Sequence, residues 1–156
     1  MARSFLMMLI VNNVIHDKSD IAPQERDVVL LTWEERQKSR QRLKTKAGRE
    51  IGLALPTGTI LCPGDVLFRS ESLEIVVEGV LERVFVLTPD TREEFGRVCY
   101  QIGNLHRPIG FQGDAVLVPY EPVLEKQLAR LGFGFRVENQ VFTHAAHQVG
   151  SHTHVH

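Results

Sequence analysis

Apolar residues in this chain follow two rhythms, and the change falls near residue 73. Before it, short β-branched or apolar runs alternate with turn residues, and no 3.6-residue period is convincing. Phe5-Leu6-Met7-Met8-Leu9-Ile10-Val11 is closed after seven residues by Asn12-Asn13 and no small-x-small cleavage pattern follows, so it reads as a buried first strand rather than a leader. Val28-Val29-Leu30-Leu31 runs into Thr32-Trp33. Arg40 to Thr45 and Glu50 to Leu55 flank Lys46-Ala47-Gly48-Arg49, a hairpin turn in which glycine supplies the positive φ. Pro56-Thr57-Gly58 and Pro63-Gly64-Asp65 are further turn signals. A small all-β domain over residues 1–72 is expected.

After residue 73 the spacing lengthens. Leu73 to Leu87 predicts one long strand, with Gly79 marking a bulge, stopped by Pro89-Asp90. Thr91-Arg92-Glu93-Glu94 is a capping box. Phe95, Val98, Cys99 and Ile102 then line one helical face, and Gly103 is the expected stop. Ile109-Gly110-Phe111 and Ala115-Val116-Leu117-Val118 predict short strands. A second helix starts near Pro122 with Leu124, Leu128 and Leu131 inward and Gly132 at its end, and Phe133 to Phe142 supplies the last strand. The order β-α-β-β-α-β is the ferredoxin-like split motif, over residues 73–142. The fold class is therefore α+β: an all-β domain, a ferredoxin-like domain, and a flexible histidine-rich tail over 143–156.

Composition narrows the chemistry. The formal net charge of the 156 residues is -1, so no global field favours nucleic acid or an anionic membrane. No run approaches the roughly 18–20 apolar residues that cross a bilayer. The two cysteines, Cys62 and Cys99, form no Cys-x-x-Cys pair, which argues against a disulfide framework or a thiolate site and fits a reduced, cytoplasmic setting. No His-Glu-x-x-His sequence, phosphate loop or Gly-x-Ser-x-Gly elbow occurs, so no enzyme is expected. Glu34-Glu35 and Glu93-Glu94 read as solvated or capping residues rather than catalytic pairs.

Histidine placement is the most lopsided feature. Five of seven, His144, His147, His152, His154 and His156, fall in the last thirteen residues, and acidic residues cease after Glu138. Neutral imidazole ligates nickel, zinc and copper near pH 7, and a loose strand with this spacing can wrap an ion. Ligand type alone does not choose among those metals. His106 comes just after the first helix, in Gly103-Asn104-Leu105-His106-Arg107-Pro108. Such a histidine is ordinarily a surface or helix-end residue, but a glycine- and proline-bounded loop would aim it, and a twofold dimer would bring two copies together.

Two other motifs carry rival readings. Arg36, Lys38, Arg40, Arg42, Lys44 and Lys46 recur at every second position, which on a strand places them on one face. That face would dock an acidic partner or phosphate backbone, though the solvated side of an edge strand is the simpler reading. Leu131-Gly132-Phe133-Gly134-Phe135-Arg136-Val137 looks like the RNP1 strand of RNA-recognition motifs. It comes after the second helix instead of preceding it, which tells against base stacking by Phe133 and Phe135.

Several segments together resemble the urease accessory protein UreE family. They are Thr32-Trp33-Glu34-Glu35-Arg36, Arg42 through Pro56, Gly64-Asp65-Val66-Leu67, Tyr100-Gln101-Ile102-Gly103-Asn104-Leu105-His106 and the histidine-rich end. The resemblance spans nearly the whole chain. It implies an N-terminal β domain suited to protein contacts and a ferredoxin-like metal-binding domain that forms a homodimer. It implies that His106 binds Ni(2+) at the dimer interface with its symmetry mate, with further ligands from the tail. It also implies transfer to the urease apoprotein with other accessory proteins, including the GTPase UreG. Leu105 stands where arginine is common in that family. Gln101 stands where some members carry a second histidine, which removes one possible ligand. The leading expectation is a nickel chaperone, with Zn(2+) and Cu(2+) as further candidate ions. A tail-based metal buffer and a non-metal interaction module are the alternatives.

Overall fold

The structure is a computed structural model and describes residues 7–147. The chain divides into two compact units between Val80 and Leu81. The first unit thus extends past the expected limit at 72.

The first unit is β-structure throughout, apart from one 3-10 turn at Glu35–Gln37. Its strands are β1 (Leu9–Val11), β2 (Glu25–Leu31), β3 (Arg40–Lys44), β4 (Glu50–Ala54), β5 (Val66–Arg69) and β6 (Leu73–Gly79). They form two three-stranded sheets, ordered β1-β4-β3 and β2-β6-β5. The hairpin around Lys46–Arg49 is present, with Gly48 at φ 92°. Alternation aims Ile51 and Leu53 of one sheet, and Val29, Leu31, Ile75 and Val77 of the other, into one shared core. Each such side chain, once buried, stabilises the fold by about 1.5–3 kcal/mol. Glu35 serves as a cap: its carboxylate accepts from Thr32 N at 3.0 Å while Thr32 Oγ1 accepts from Glu35 N at 3.1 Å.

Two expectations change here. The buried first strand is only three residues long, and of these Val11 is buried whereas Ile10 is 51% exposed. The single strand over 73–87 is two strands, β6 and β7 (Glu82–Leu87), in different units. β6 pairs in parallel with β2 along its whole length, from Glu25↔Leu73 to Leu31↔Gly79. That seven-residue ladder holds β6 in the first unit, and Gly79 ends a strand instead of bulging one. The irregular register lies in β5, between Val66 and Phe68.

The second unit runs β7, α1 (Arg92–Asn104), β8 (Gly110–Gln112), β9 (Ala115–Pro119), α2 (Pro122–Arg130), β10 (Arg136–Gln140). Its sheet is ordered β10-β7-β9-β8 with every neighbouring pair antiparallel. Phe85 and Leu87 of β7 and Val116 and Val118 of β9 pack against Val98, Ile102, Leu124 and Leu128 of the helices. Thr91 Oγ1 accepts from Glu94 N at 3.1 Å, a cap of about 1 kcal/mol. Three details differ from expectation. Gly103 stays helical, Leu131 is 39% exposed because it lies past the last turn of α2, and the final strand spans only 136–140. Among the described residues no helix is long and apolar enough to cross a membrane.

Candidate functional site

The end of α1 sets the direction of His106. Leu105 is the C-cap and packs on the core of the second unit, so the helix must turn sharply after it. His106 N donates to Gly103 O at 3.0 Å and Arg107 N donates to Ile102 O at 3.3 Å. These two bonds make a Schellman motif, whose turning residue is ordinarily glycine. Here it is His106, at φ 58°, the one non-glycine residue with positive φ among those described. The imidazole is exposed.

The chain on the far side of the histidine is fixed as well. Arg107 forms an ion pair with Glu121, the residue preceding α2, which balances the cation beside the imidazole. Pro108 restricts the next step, and Ala145 N donates to Ile109 O at 2.6 Å. This last bond ties the root of the tail to the strand that His106 leads into. Gly110 makes the approach feasible: a Cβ there would lie 2.5 Å from Thr143 O and 3.1 Å from the Phe142 ring. Phe142 is fully buried, so the chain is anchored just before its histidines begin.

The expected ligands therefore separate into groups. His106 sits in the rigid loop. His144 is half-buried, and its Nδ1 accepts from Ala146 N at 3.0 Å, so the neutral ring carries its proton on Nε2. His147 ends the 3-10 turn Ala145–His147. His152, His154 and His156 lie outside the described residues. The fold brings the His144 segment to the β8 strand beyond His106, yet among the described residues no three His, Cys, Asp or Glu side chains gather around one point. Neither Cys62 nor Cys99 is in a disulfide among the described residues; both are half-buried, and burial pushes each thiol up from its ordinary value, which keeps the thiolate scarce.

Sequence reasoning singled out His106 as a candidate but missed the residues that hold it. Nothing in the spacing joined Arg107 to Glu121 across fourteen positions, and Gly110 read only as part of a strand. Two rival motifs also resolve. Phe133 is buried in the core, and Phe135 is half-buried against that core with its ring roughly perpendicular to Phe85 at 5.1 Å, so the pair does not form an exposed stacking platform. The six-residue basic stripe is interrupted: Arg36 is buried in the 3-10 turn, Lys38 comes directly after it, Lys46 is in the hairpin turn, and only Arg40, Arg42 and Lys44 share a strand.

Comparison with known proteins gives concordant matches to both units. Residues 10–78 match the family model described as "UreE urease accessory protein, N-terminal domain", and residues 82–156 the corresponding C-terminal domain. A urease accessory protein UreE from Synechococcus sp. (strain JA-3-3Ab) is 42% identical over 102 residues, covering 65% of this chain and 68% of that one. Its counterpart from Actinobacillus pleuropneumoniae is 41% identical over 115 residues, covering 73% and 62%. The Bacillus cereus (strain ATCC 10987 / NRS 248) protein is 30% identical over 144 residues, covering 88% and 95%.

Proposed function

The chain belongs to the UreE family of urease accessory proteins, and on that premise we propose that it is a nickel metallochaperone: it carries Ni(2+) as cargo and delivers it for assembly of the urease active site. It is not itself an enzyme. The observation that carries this reading is His106, an exposed imidazole held in a backbone conformation where glycine would be easier. A strained, rigidly framed polar side chain marks a position kept for chemistry.

One imidazole holds a divalent ion weakly. A twofold homodimer through the second unit, which we assign to the ferredoxin-like class on its strand order, would set two His106 rings against each other. Tail ligands would complete the shell, drawn from His144, His147, His152, His154 and His156. His144 is the first of these, because the Ala145–Ile109 hydrogen bond delivers it to the loop's own strand. Using its Nε2 requires the proton to move to Nδ1, which breaks the bond from Ala146 N. Loading would thus loosen the tail root.

Neutral nitrogen ligands suit a carrier. They exchange readily, and the donor set accepts zinc and copper as well as nickel, so selection rests on geometry and supply. In this reading the protein acts in the cytoplasm, with the urease apoprotein and accessory proteins including the GTPase UreG as partners. The test is titration calorimetry with Ni(2+) on the full chain, a His106→Ala variant, and a chain ended after His147. Loss of about one ion per dimer in His106→Ala is expected, with that site retained in the shortened chain. An unchanged His106→Ala titration would sink the interface site, and loss of all binding on shortening would favour a tail-based metal buffer.

A further inference from the structure

The open edge of β3 combines three features that the metal reading does not use. The first is charge. Arg40, Arg42 and Lys44 are exposed on one face of the strand, and none is in an ion pair among the described residues, in a chain whose net charge is -1. Residues two apart on a strand stand roughly 6.5–7 Å apart, so the row is regular.

The second is unused backbone. Among the described residues β3 pairs only with β4, from Arg40↔Ala54 to Lys44↔Glu50. Leu55 N donates to Ser39 O at 2.9 Å and Thr45 N donates to Arg49 O at 2.8 Å, which puts the odd-numbered residues of β3 in the hydrogen-bonded pairs. The N–H and C=O groups of Arg40, Arg42 and Lys44 therefore point away from β4. Beyond them the edge is closed, since Lys46 N donates to Val28 O at 2.8 Å. The opening matches the cationic row residue for residue.

The third is apolar. Gly52 lies opposite Arg42, and the space its missing side chain leaves is taken by Ile10 and Met8, whose Cδ1 and Cε come within 2.9 and 3.3 Å of where a Cβ would stand. They form an apolar ridge beside the cations, with Ile10 still 51% exposed. No aromatic residue lies on this face of β1, β3 or β4.

We propose that β3 receives an extended acidic segment of a partner protein as an added strand, with alternate carboxylates opposite Arg40, Arg42 and Lys44 and the side chains between them on the opposite face, that of Gln41 and Leu43. A peptide meets both the cationic row and the open backbone. A phosphate backbone would meet only the charge and would find no stacking surface.

The test uses the full metal-free chain with chelator present, so its outcome is independent of the nickel reading. A short fluorescent peptide of alternating glutamate and valine is titrated by anisotropy, beside the same peptide with its edge-facing amides N-methylated and beside an oligothymidylate. The alternating peptide should bind saturably, and N-methylation should abolish binding. The combined R40Q, R42Q and K44Q variant should bind about tenfold more weakly, the sum of three modest cross-strand charge pairs. These side chains are exposed, so the variant should unfold at the parent's temperature. Equal binding of the N-methylated peptide, unchanged binding by the variant, preference for the oligonucleotide, or no binding by any probe would each overturn the proposal. In the last case the row would serve only to guard an edge against self-association.

Discussion

Replacing His106 by glycine should stabilise the second unit while removing its candidate ligand. At φ 58° a side chain costs about 1–2 kcal/mol, toward the low end for histidine, which tolerates this region better than most residues. Glycine removes that cost but restores unfolded-state freedom worth roughly 0.5–1 kcal/mol. The ring is exposed, so deleting it sacrifices little packing. The net gain is up to about 0.5 kcal/mol, which for a unit of this size raises Tm by up to about 2–4 °C. His106→Ala is the control: it loses the same imidazole yet keeps the backbone cost, so no gain is expected. Scanning calorimetry in chelator should rank the variants glycine, then parent, then alanine, while nickel titration shows the same lost site in both. A glycine variant no more stable than the alanine variant would refute the left-handed assignment and, with it, the claim that the loop is strained to aim the ring.

The first unit should lose stability in acid. The guanidinium of Arg69, then that of Arg26, holds the Glu74 carboxyl below its ordinary 4.5. Burial alone would raise Asp27, but hydrogen bonds from Thr45, Arg49 and the Val28 and Ala47 amides outweigh it and hold the group below its ordinary 3.8. Both groups bind a proton less readily folded than unfolded. Their contribution is therefore complete above those ordinary values and lost as pH falls through and below them. Urea midpoints measured across that window should fall for the parent and fall less for an Asp27→Asn, Glu74→Gln variant; parallel slopes would count against the reasoning. Separately, Gly110→Ala should cost about 1–3 kcal/mol and expose residues 141–147 to limited proteolysis, because its Cβ would stand 2.5 Å from Thr143 O. Unaltered cleavage there would show that the tail root is not anchored through β8.

Local signals of the fold were legible where a single residue type decides the geometry. Gly48 in the hairpin, the Thr91 cap and the Leu124 and Leu128 face of α2 all stand where the sequence puts them. The break between β6 and β7 was not legible, because the residues either side of Gly79 are equally apolar and β-prone. What separates them is the parallel ladder to β2, some fifty residues upstream, which no local pattern encodes. The basic stripe failed for a related reason. Its period of two persists through a 3-10 turn and a hairpin, so spacing overstated the length of the strand that carries it. For the site, residue type pointed to His106 and the tail, whereas the anchors Glu121, Gly110 and Phe142 act through contacts between distant segments.

The displaced helix stop links the fold to the site. Glycine at 103 is the natural terminator by sequence, and using it in the left-handed position would have been the easier backbone. Instead α1 continues past Gly103, and the turn falls on His106, three residues later. Continuing the helix draws Leu105 onto the core and places the imidazole at the outermost point of the turn, before Arg107 is clamped by Glu121 and Ile109 by Ala145. A histidine on an ordinary helix surface would sample several directions and lose entropy on binding an ion. One locked at a Schellman turn has that loss already met during folding, by the packing of the second unit. The local rule is broken at the residue that the proposed ion-carrier role would most need preorganised, and the strain is offset by contacts that surround the loop.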